Sequence, residues 1–228
     1  MTLLSMNGTA LPHLLRLASP MLPVGAYAYS QGMEWAVEQG AVHDEPSALA
    51  WIVDLLRFNI GTLEAPVWRH LYRAWQEQDA EAAARWNARF IAIRETAEFR
   101  AETLQMGGAM KAVLEATGEM DVKLLDTIVA PAFPTAFSFA AHGLGIPVRE
   151  GLTGYLWAWA ENQVAAAMKL VPLGQSSGQR MVSRIIATLP AIADAALVMP
   201  EDALANFSPA LAIASSRHET QYTRLFRS

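Results

Sequence analysis

The stretch LTGYLWAWAENQVAAAMKLVPLGQSSGQRMVSRIIATL, Leu152 to Leu189, decides the fold class. An Ala- and aromatic-rich run is broken at Pro172 to Gln175, and a second amphipathic run follows. At 100° per residue, Tyr155, Trp159, Asn162, Ala166 and Lys169 return to one helical face, because spacings of four, seven, eleven and fourteen are near-whole turns. An amide and an ammonium therefore share a stripe with two aromatic rings. Ala165, Ala166 and Ala167 leave room beside it for another backbone, so this helix is expected to be central in packing while still presenting Lys169. An ammonium is costly to bury unpaired. What Lys169 meets is the question the stripe poses.

Working outward, helical periodicity dominates wherever Pro and Gly permit, and alternating β-branched runs with tight hairpin signals are absent. The expected fold is all-α, one domain built as a bundle of about eight to ten helices. A first helix, Leu11 to Ala18, stops before Ser19-Pro20, and Pro20 to Gly25 reads as an extended loop. Ser30 is placed to cap Gln31 to Glu38, with Gly40 as a stop. Asp44 or Ser47 starts the next helix through Trp51, Ile52, Leu55 and Leu56, and Pro66 interrupts it before Pro66 to Gln76. Asp79 opens the longest candidate, Ala80 to about Glu115, with a possible bend at Gly107-Gly108. Shorter helices are expected at Asp121 to Val129, Thr135 to His142 and Glu150 to Val171. Ser176-x-x-Gln179 has the capping-box pattern for a helix from Ser177 to Leu189. Pro190 and Pro200 then separate Ala191 to Val198 from Glu201 to Ala214.

A length of 228 residues suits one well-buried domain. The composition is 53% hydrophobic and 17% charged, which either an efficiently buried Ala-rich core or a partner-covered face accounts for. With no cysteine there are no disulfides or thiolate ligands, and no charged-apolar-small leader is visible, so the expected location is cytoplasmic. The longest run without Asp, Glu, Lys or Arg, Thr127 to Val148, is broken by prolines and glycines and is not expected to cross a membrane. A net charge of −5 argues against general nucleic-acid binding.

Catalytic and cofactor signatures are missing. There is no phosphate-binding G-x-x-x-x-G-K-[ST] loop and no G-x-S-x-G elbow, and Gly143-Leu144-Gly145 is too short for a dinucleotide fingerprint. His13, His43, His70, His142 and His218 lack metal-ligand spacing, so neither a metal nor a cofactor is expected. Glu95, Glu98 and Glu102 share a helical face at i, i+3 and i+7. That face suits a cation or a partner's Arg, or it is simply solvated beside Arg94 and Arg100. The loop Pro20 to Trp35 delivers Tyr27, Tyr29, Ser30 and Gln31 into a helix bearing Glu34. The last twelve residues, Arg217 to Ser228, carry three Arg, one His and one Glu among Tyr222, Leu225 and Phe226: either a frayed end or the composition of an interface hot spot.

Four stretches together resemble the UreF family of urease accessory proteins, in the family's order. They are Leu22-Pro-Val-Gly25 with Ser30-Gln-Gly-Met-Glu-Trp35, Arg94-Glu-Thr-Ala-Glu98-Phe-Arg100, Lys169-Leu-Val-Pro-Leu-Gly-Gln175, and Arg217-His-Glu-Thr-Gln-Tyr-Thr-Arg-Leu-Phe-Arg-Ser228. Ala26, Ala28, Ser216 and Thr223 depart from the pattern without removing a charged motif residue. The resemblance implies an all-α protein without catalysis of its own. It implies a homodimer that binds the UreD/UreH accessory protein, recruits the nickel-carrying GTPase UreG and acts on apo-urease. By motif position it marks Glu34, Glu98, Lys169 and Gln175 as partner-binding. The tail residues Arg217, His218, Glu219, Tyr222, Arg224, Phe226 and Arg227 join them. Residues 1–216 then form the helical body and 217–228 a partner-binding tail that can lack order alone. Two rivals stand beside this reading: an all-helical small-molecule enzyme with a pocket lined by Tyr27, Tyr29 and the Glu95/Glu98/Glu102 stripe, and a plain dimeric adaptor.

Overall fold

Helix α9, Val148–Leu170, runs through the middle of the molecule for 23 residues, and α1, α2, α3, α4, α8, α10 and α11 all pack against it. Small residues permit this crowding: a Cβ added at Gly154 would lie 2.4 Å from Leu14 Cδ1. Leu152, Tyr155, Leu156, Ala160 and Ala167 face the main core, where Phe133, Phe137 and Trp68 surround the Tyr155 ring. In this computed structural model the described residues are 8–206 and 208–228. Among them are twelve α-helices and no strand, ten of the helices having eight residues or more. The others are α1 Ala10–Leu17, α2 Met33–Glu38, α3 Glu45–Leu55, α4 Ala65–Gln76, α5 Ala80–Ile93, α6 Ala97–Thr117, α7 Lys123–Asp126, α8 Phe133–Gly143, α10 Gln175–Ile186, α11 Leu189–Val198 and α12 Pro209–His218. The protein is all-α, as its periodicity dictates.

Local chemistry explains where these helices start, and where the sequence misleads. Asp44 and Ser47 form a reciprocal capping box on α3, with Pro46 in the first turn. Pro66 does not end the helix that follows. A π-helical stretch, Leu56–Glu64, joins α3 to α4 without a break. Pro66 has no N–H for Thr62 O, and the Ala205 N–H takes that carbonyl instead at 3.1 Å, while Thr62 Oγ1 donates to Ala205 O. The expected long helix from Ala80 is two helices. The break falls at Arg94 to Thr96, where Arg94 turns extended to pair with buried Glu64, and Thr96 Oγ1 caps α6 by accepting the Phe99 N–H. Gly107-Gly108 lie inside an unbroken α6.

Three further expectations change. The Ser176 capping box does not form, because the chain enters α10 two residues earlier, with Gly174 as N-cap and no side-chain cap. Glu201 to Ala214 is a 3₁₀ turn, Glu201–Ala203, then coil, then α12; Phe207 lies outside the described residues. Ser30 does not start the helix, which begins at Met33, although its Oγ still accepts the Glu34 N–H. The Thr127 to Val148 run contains only the 11-residue α8, buried in the core. Gln175–Val198 has the length and mean hydropathy, 1.6, of a bilayer span. The chain turns at Ala187-Thr188, leaving helices of 12 and 10 residues, each short of the roughly 20 a bilayer needs.

Candidate functional site

The polar stripe of α9 is the seat on which the loop before α2 and the last residues of the chain are fastened. Trp159 Nε1 donates to Gln31 Oε1 at 2.7 Å, Asn162 Nδ2 donates to Tyr29 O at 3.1 Å, and the Lys169 ammonium lies 5.1 Å from the centre of the Phe226 ring. Lys169 is exposed and Phe226 buried, so the lysine lies over the aromatic plug in a cation–π contact. Both Gln31 and Gly32 sit in the left-handed region, φ 51° and 77°. At Gly32 the space is also closed, since a Cβ there would lie 3.0 Å from Ala214 Cβ. This kink turns the amides of Ser30 and Gln31 toward Ser228. Its backbone oxygen accepts from Ser30 N at 2.6 Å, Gln31 N at 3.0 Å and Ser30 Oγ at 2.7 Å. Successive amides converging on one oxygen form the kind of nest that binds anionic oxygens.

Glu34, in the first turn of α2, holds the next part of the tail. Its Oε1 accepts the Leu225 N–H at 2.6 Å and its Oε2 the Phe226 N–H at 2.9 Å, while His218 Nε2 faces Oε2 at 3.1 Å. His218, with no exposed surface, stands between two carboxylates: its Nδ1 is 2.9 Å from Glu98 Oε2. Arg224 Nη1 meets the other Glu98 oxygen at 3.0 Å. Glu219 reaches the N-terminus of α6, where its Oε1 accepts the Ala97 N–H at 2.9 Å, complementing the helix dipole. Arg227 N donates to Ala28 O at 2.8 Å.

Beneath this layer lies a second polar cluster. Glu102 accepts from Gln31 Nε2 at 2.6 Å and from Ser228 Oγ at 3.0 Å. Burial pushes its carboxyl from 4.5 up to about 7, against the pull of Arg94 and of both hydrogen bonds, and the Glu64 charge adds to the rise. Arg94, 7% exposed, pairs with Glu64 at 3.1 Å and stacks over Phe90 and Phe99. Tyr155 donates its hydroxyl to Glu64, and burial first, then that carboxylate, raises its ionisation well above 10. A cavity of about 150 Å³ adjoins these groups, walled by Gln31, Glu64, Arg94, Glu102 and Tyr155 with apolar Leu17, Met106 and Phe133.

Of the residues singled out from sequence, Glu34, Glu98, His218, Arg224 and Phe226 meet in one constellation, with Lys169 joined through Phe226. Arg217, Tyr222 and Arg227 are exposed beside it, and Glu219 caps α6. Gln175 is exposed at the start of α10, and no side-chain hydrogen bond ties it to the tail among the described residues. The Glu95/Glu98/Glu102 stripe is neither a solvated face nor a single face. Glu95 precedes α6 and is exposed, whereas Glu98 and Glu102 turn inward to the chain's own tail. Of the enzyme pocket, only Tyr27 and Glu102 line the cavity. Glu64 lies in no quoted motif; Arg94 opens one, but nothing in the sequence joins it to Glu64, 30 residues away. Gln31 and Ser228 did lie within quoted motifs. Among the described residues no group of three or more His, Asp or Glu is placed to hold a metal ion, and in the His218 brace the two carboxylates sit on opposite ring nitrogens.

A sequence model of the UreF family matches residues 42–186, which holds α3 to α10 but neither the Ser30–Glu34 loop nor the tail. Individual relatives match over nearly the whole length. A urease accessory protein UreF from Azoarcus sp. (strain BH72) is 51% identical over 223 residues, 94% of each chain. One from Dechloromonas aromatica (strain RCB) is 50% identical, covering 96% of this chain and 97% of that one. One from Methylobacillus flagellatus is 46% identical, covering 96% and 98%. With half its residues shared along nearly its whole length, the chain belongs to the UreF family.

Proposed function

We propose that this chain is a cytoplasmic, dimeric scaffold in urease maturation, bridging the UreD/UreH accessory protein and the UreG GTPase and coupling GTP hydrolysis to nickel insertion into apo-urease. The chain is an accessory protein, not an enzyme, and its contribution is placement. The observation that carries the reading is the two-sidedness of the tail. His218, Phe226 and Ser228 are buried, while Arg217, Tyr222, Arg224, Leu225 and Arg227 stand exposed, as does Lys169 over Phe226. An aromatic and an aliphatic side chain among guanidinium forks, on a segment already fixed in place, is what a desolvated hot spot needs. Residues 217–228 are thus the partner-binding segment of the 1–216 body, with Gln175 and Lys169 contributing from the α9–α10 edge. The energy source is the partner's nucleotide, and Lys169 or a glutamate gates its hydrolysis.

The test is reconstitution of urease activation from purified apo-urease, UreD/UreH, UreG, nickel and bicarbonate, with this chain present or omitted. Activation is expected only with the chain, and equal activation in both mixtures sinks the reading. Lys169→Ala is expected to lose activation while remaining folded and dimeric; wild-type activation by that variant removes the gating role. UreG hydrolysis rates with and without the chain separate a coupled scaffold from a plain adaptor.

A further inference from the structure

We infer that Glu34 is a positioning residue: buried beneath the tail, it sets the segment through Leu225 and Phe226 so that Tyr222 and Leu225 face outward, and it does not itself meet a partner. The inference rests on the reading that the exposed side of the tail is the docking surface. Glu34 is 8% exposed, and both its oxygens are already engaged by consecutive tail amides at 2.6 and 2.9 Å. The chain bends at Leu225 and Phe226, which brings both amides onto the one carboxylate, so fixing both decides which side chain goes in and which goes out. Phe226 goes in, at 6% exposure, and Leu225 goes out, at 61%.

Each neighbouring contact holds the carboxylate or the segment at the same setting. His218, at the end of α12, faces Glu34 Oε2 and is itself braced by Glu98 on α6. Ser30, one helical turn before Glu34, fastens Ser228 through its amide and hydroxyl. Glu34 of α2 and Glu98 and Glu102 of α6, the first two braced by His218 of α12, therefore hold residues 224–228, whose single buried apolar side chain is Phe226. A segment with so little apolar burial depends on its hydrogen bonds for its register. The Arg224–Glu98 pair contributes less, because its arginine is 41% exposed.

The experiment is amide hydrogen exchange on the full chain without partners, comparing the wild type with Glu34→Gln, Glu34→Asp and Arg224→Ala. In Glu34→Gln an amide NH₂ replaces one acceptor and opposes a backbone N–H. In Glu34→Asp the charge stays, but the shorter side chain cannot span both amides. Both variants are expected to speed exchange at Leu225 and Phe226 at least tenfold, with α4 and α8 amides unchanged within about twofold, and Arg224→Ala is expected to leave all of them within about twofold. The inference is overturned if the tail amides stay protected in both Glu34 variants, if core amides loosen equally, or if Arg224→Ala loosens the tail as much. Should one Glu34 variant not fold, the other decides. Tail loosening with undiminished urease activation leaves Glu34 as the positioning residue and defeats the docking reading of the tail instead.

Discussion

Glu102 is a carboxyl whose burial outweighs its partners. Moving from 4.5 in the unfolded chain to about 7 in the folded one, it binds its proton more tightly when folded. The folded state therefore holds more protons between pH 4.5 and 7, and by linkage its stability falls as pH rises through that window. The full displacement corresponds to roughly 3 kcal/mol. Glu102→Gln keeps an acceptor for Gln31 and removes the titration. Its denaturation midpoint is expected to exceed that of the wild type above pH 7 and to depend less on pH between 4.5 and 7. Parallel pH profiles for the two proteins would contradict this. His70 works in the opposite direction: burial and then Arg69 lower it to about 4, so its contribution is present above 6.5 and lost as pH falls toward 4. None of this is legible in sequence. Glu102 shares a helical period with Glu98, but its ionisation is set first by burial and then, in the opposite direction, by Arg94, Gln31 and Ser228, which periodicity does not bring together.

At the scale of the element, the Gly107-Gly108 pair shows how one sequence signal covers two physical situations. Glycines inside a helical pattern read as a bend, yet α6 passes both without deviation. Gly107 faces the entry to α8, and a Cβ there would lie 2.0 Å from Pro131 O and 2.7 Å from Ala132 C. That approach is fixed from the other side by Asn87, which donates to Ala130 O and accepts from Ala132 N and Thr135 Oγ1. Gly108 meets nothing within 4 Å. Gly108→Ala is therefore expected to stabilise by about 0.5–1 kcal/mol through helix propensity alone. Gly107→Ala is expected to destabilise by about 1–3 kcal/mol, because backbone must move to admit the methyl. Urea denaturation of both variants checks the pair, and equal shifts of the same sign would refute it. The missed break at Arg94 has a similar origin. Ala80 to Glu115 is periodic throughout, and the demand of buried Glu64 for a guanidinium, 30 residues away, overrides that local preference.

For the whole molecule, the α9 stripe was legible because helical period is a local property, and the stripe carries the site from Tyr155 in the core to Lys169 at the surface. That the stripe seats the tail was not legible, since a nest at Ser30-Gln31 and a carboxylate at Glu34 lie almost the whole chain away from Leu225 to Ser228. The result is a charge asymmetry. A chain of formal net charge −5 carries Arg217, Arg224 and Arg227 on its last twelve residues, interspersed with exposed Tyr222 and Leu225. Exposed guanidinium groups act on encounter and orientation, whereas apolar anchors act on residence time. If the proposed function holds, UreD/UreH is expected to associate with the chain more slowly as salt rises from about 0.05 to 0.5 M, a range over which the screening length falls severalfold. Tyr222→Ala combined with Leu225→Ala should instead raise the dissociation rate, weakening capture at least tenfold at any salt, since hot-spot truncations cost about 2 kcal/mol or more. Both side chains are exposed, so the melting temperature should stay within about 1 °C. Surface-plasmon measurements on the wild type and the double variant at several salt concentrations separate the two effects. Capture insensitive to both salt and truncation would place the docking surface elsewhere on the molecule.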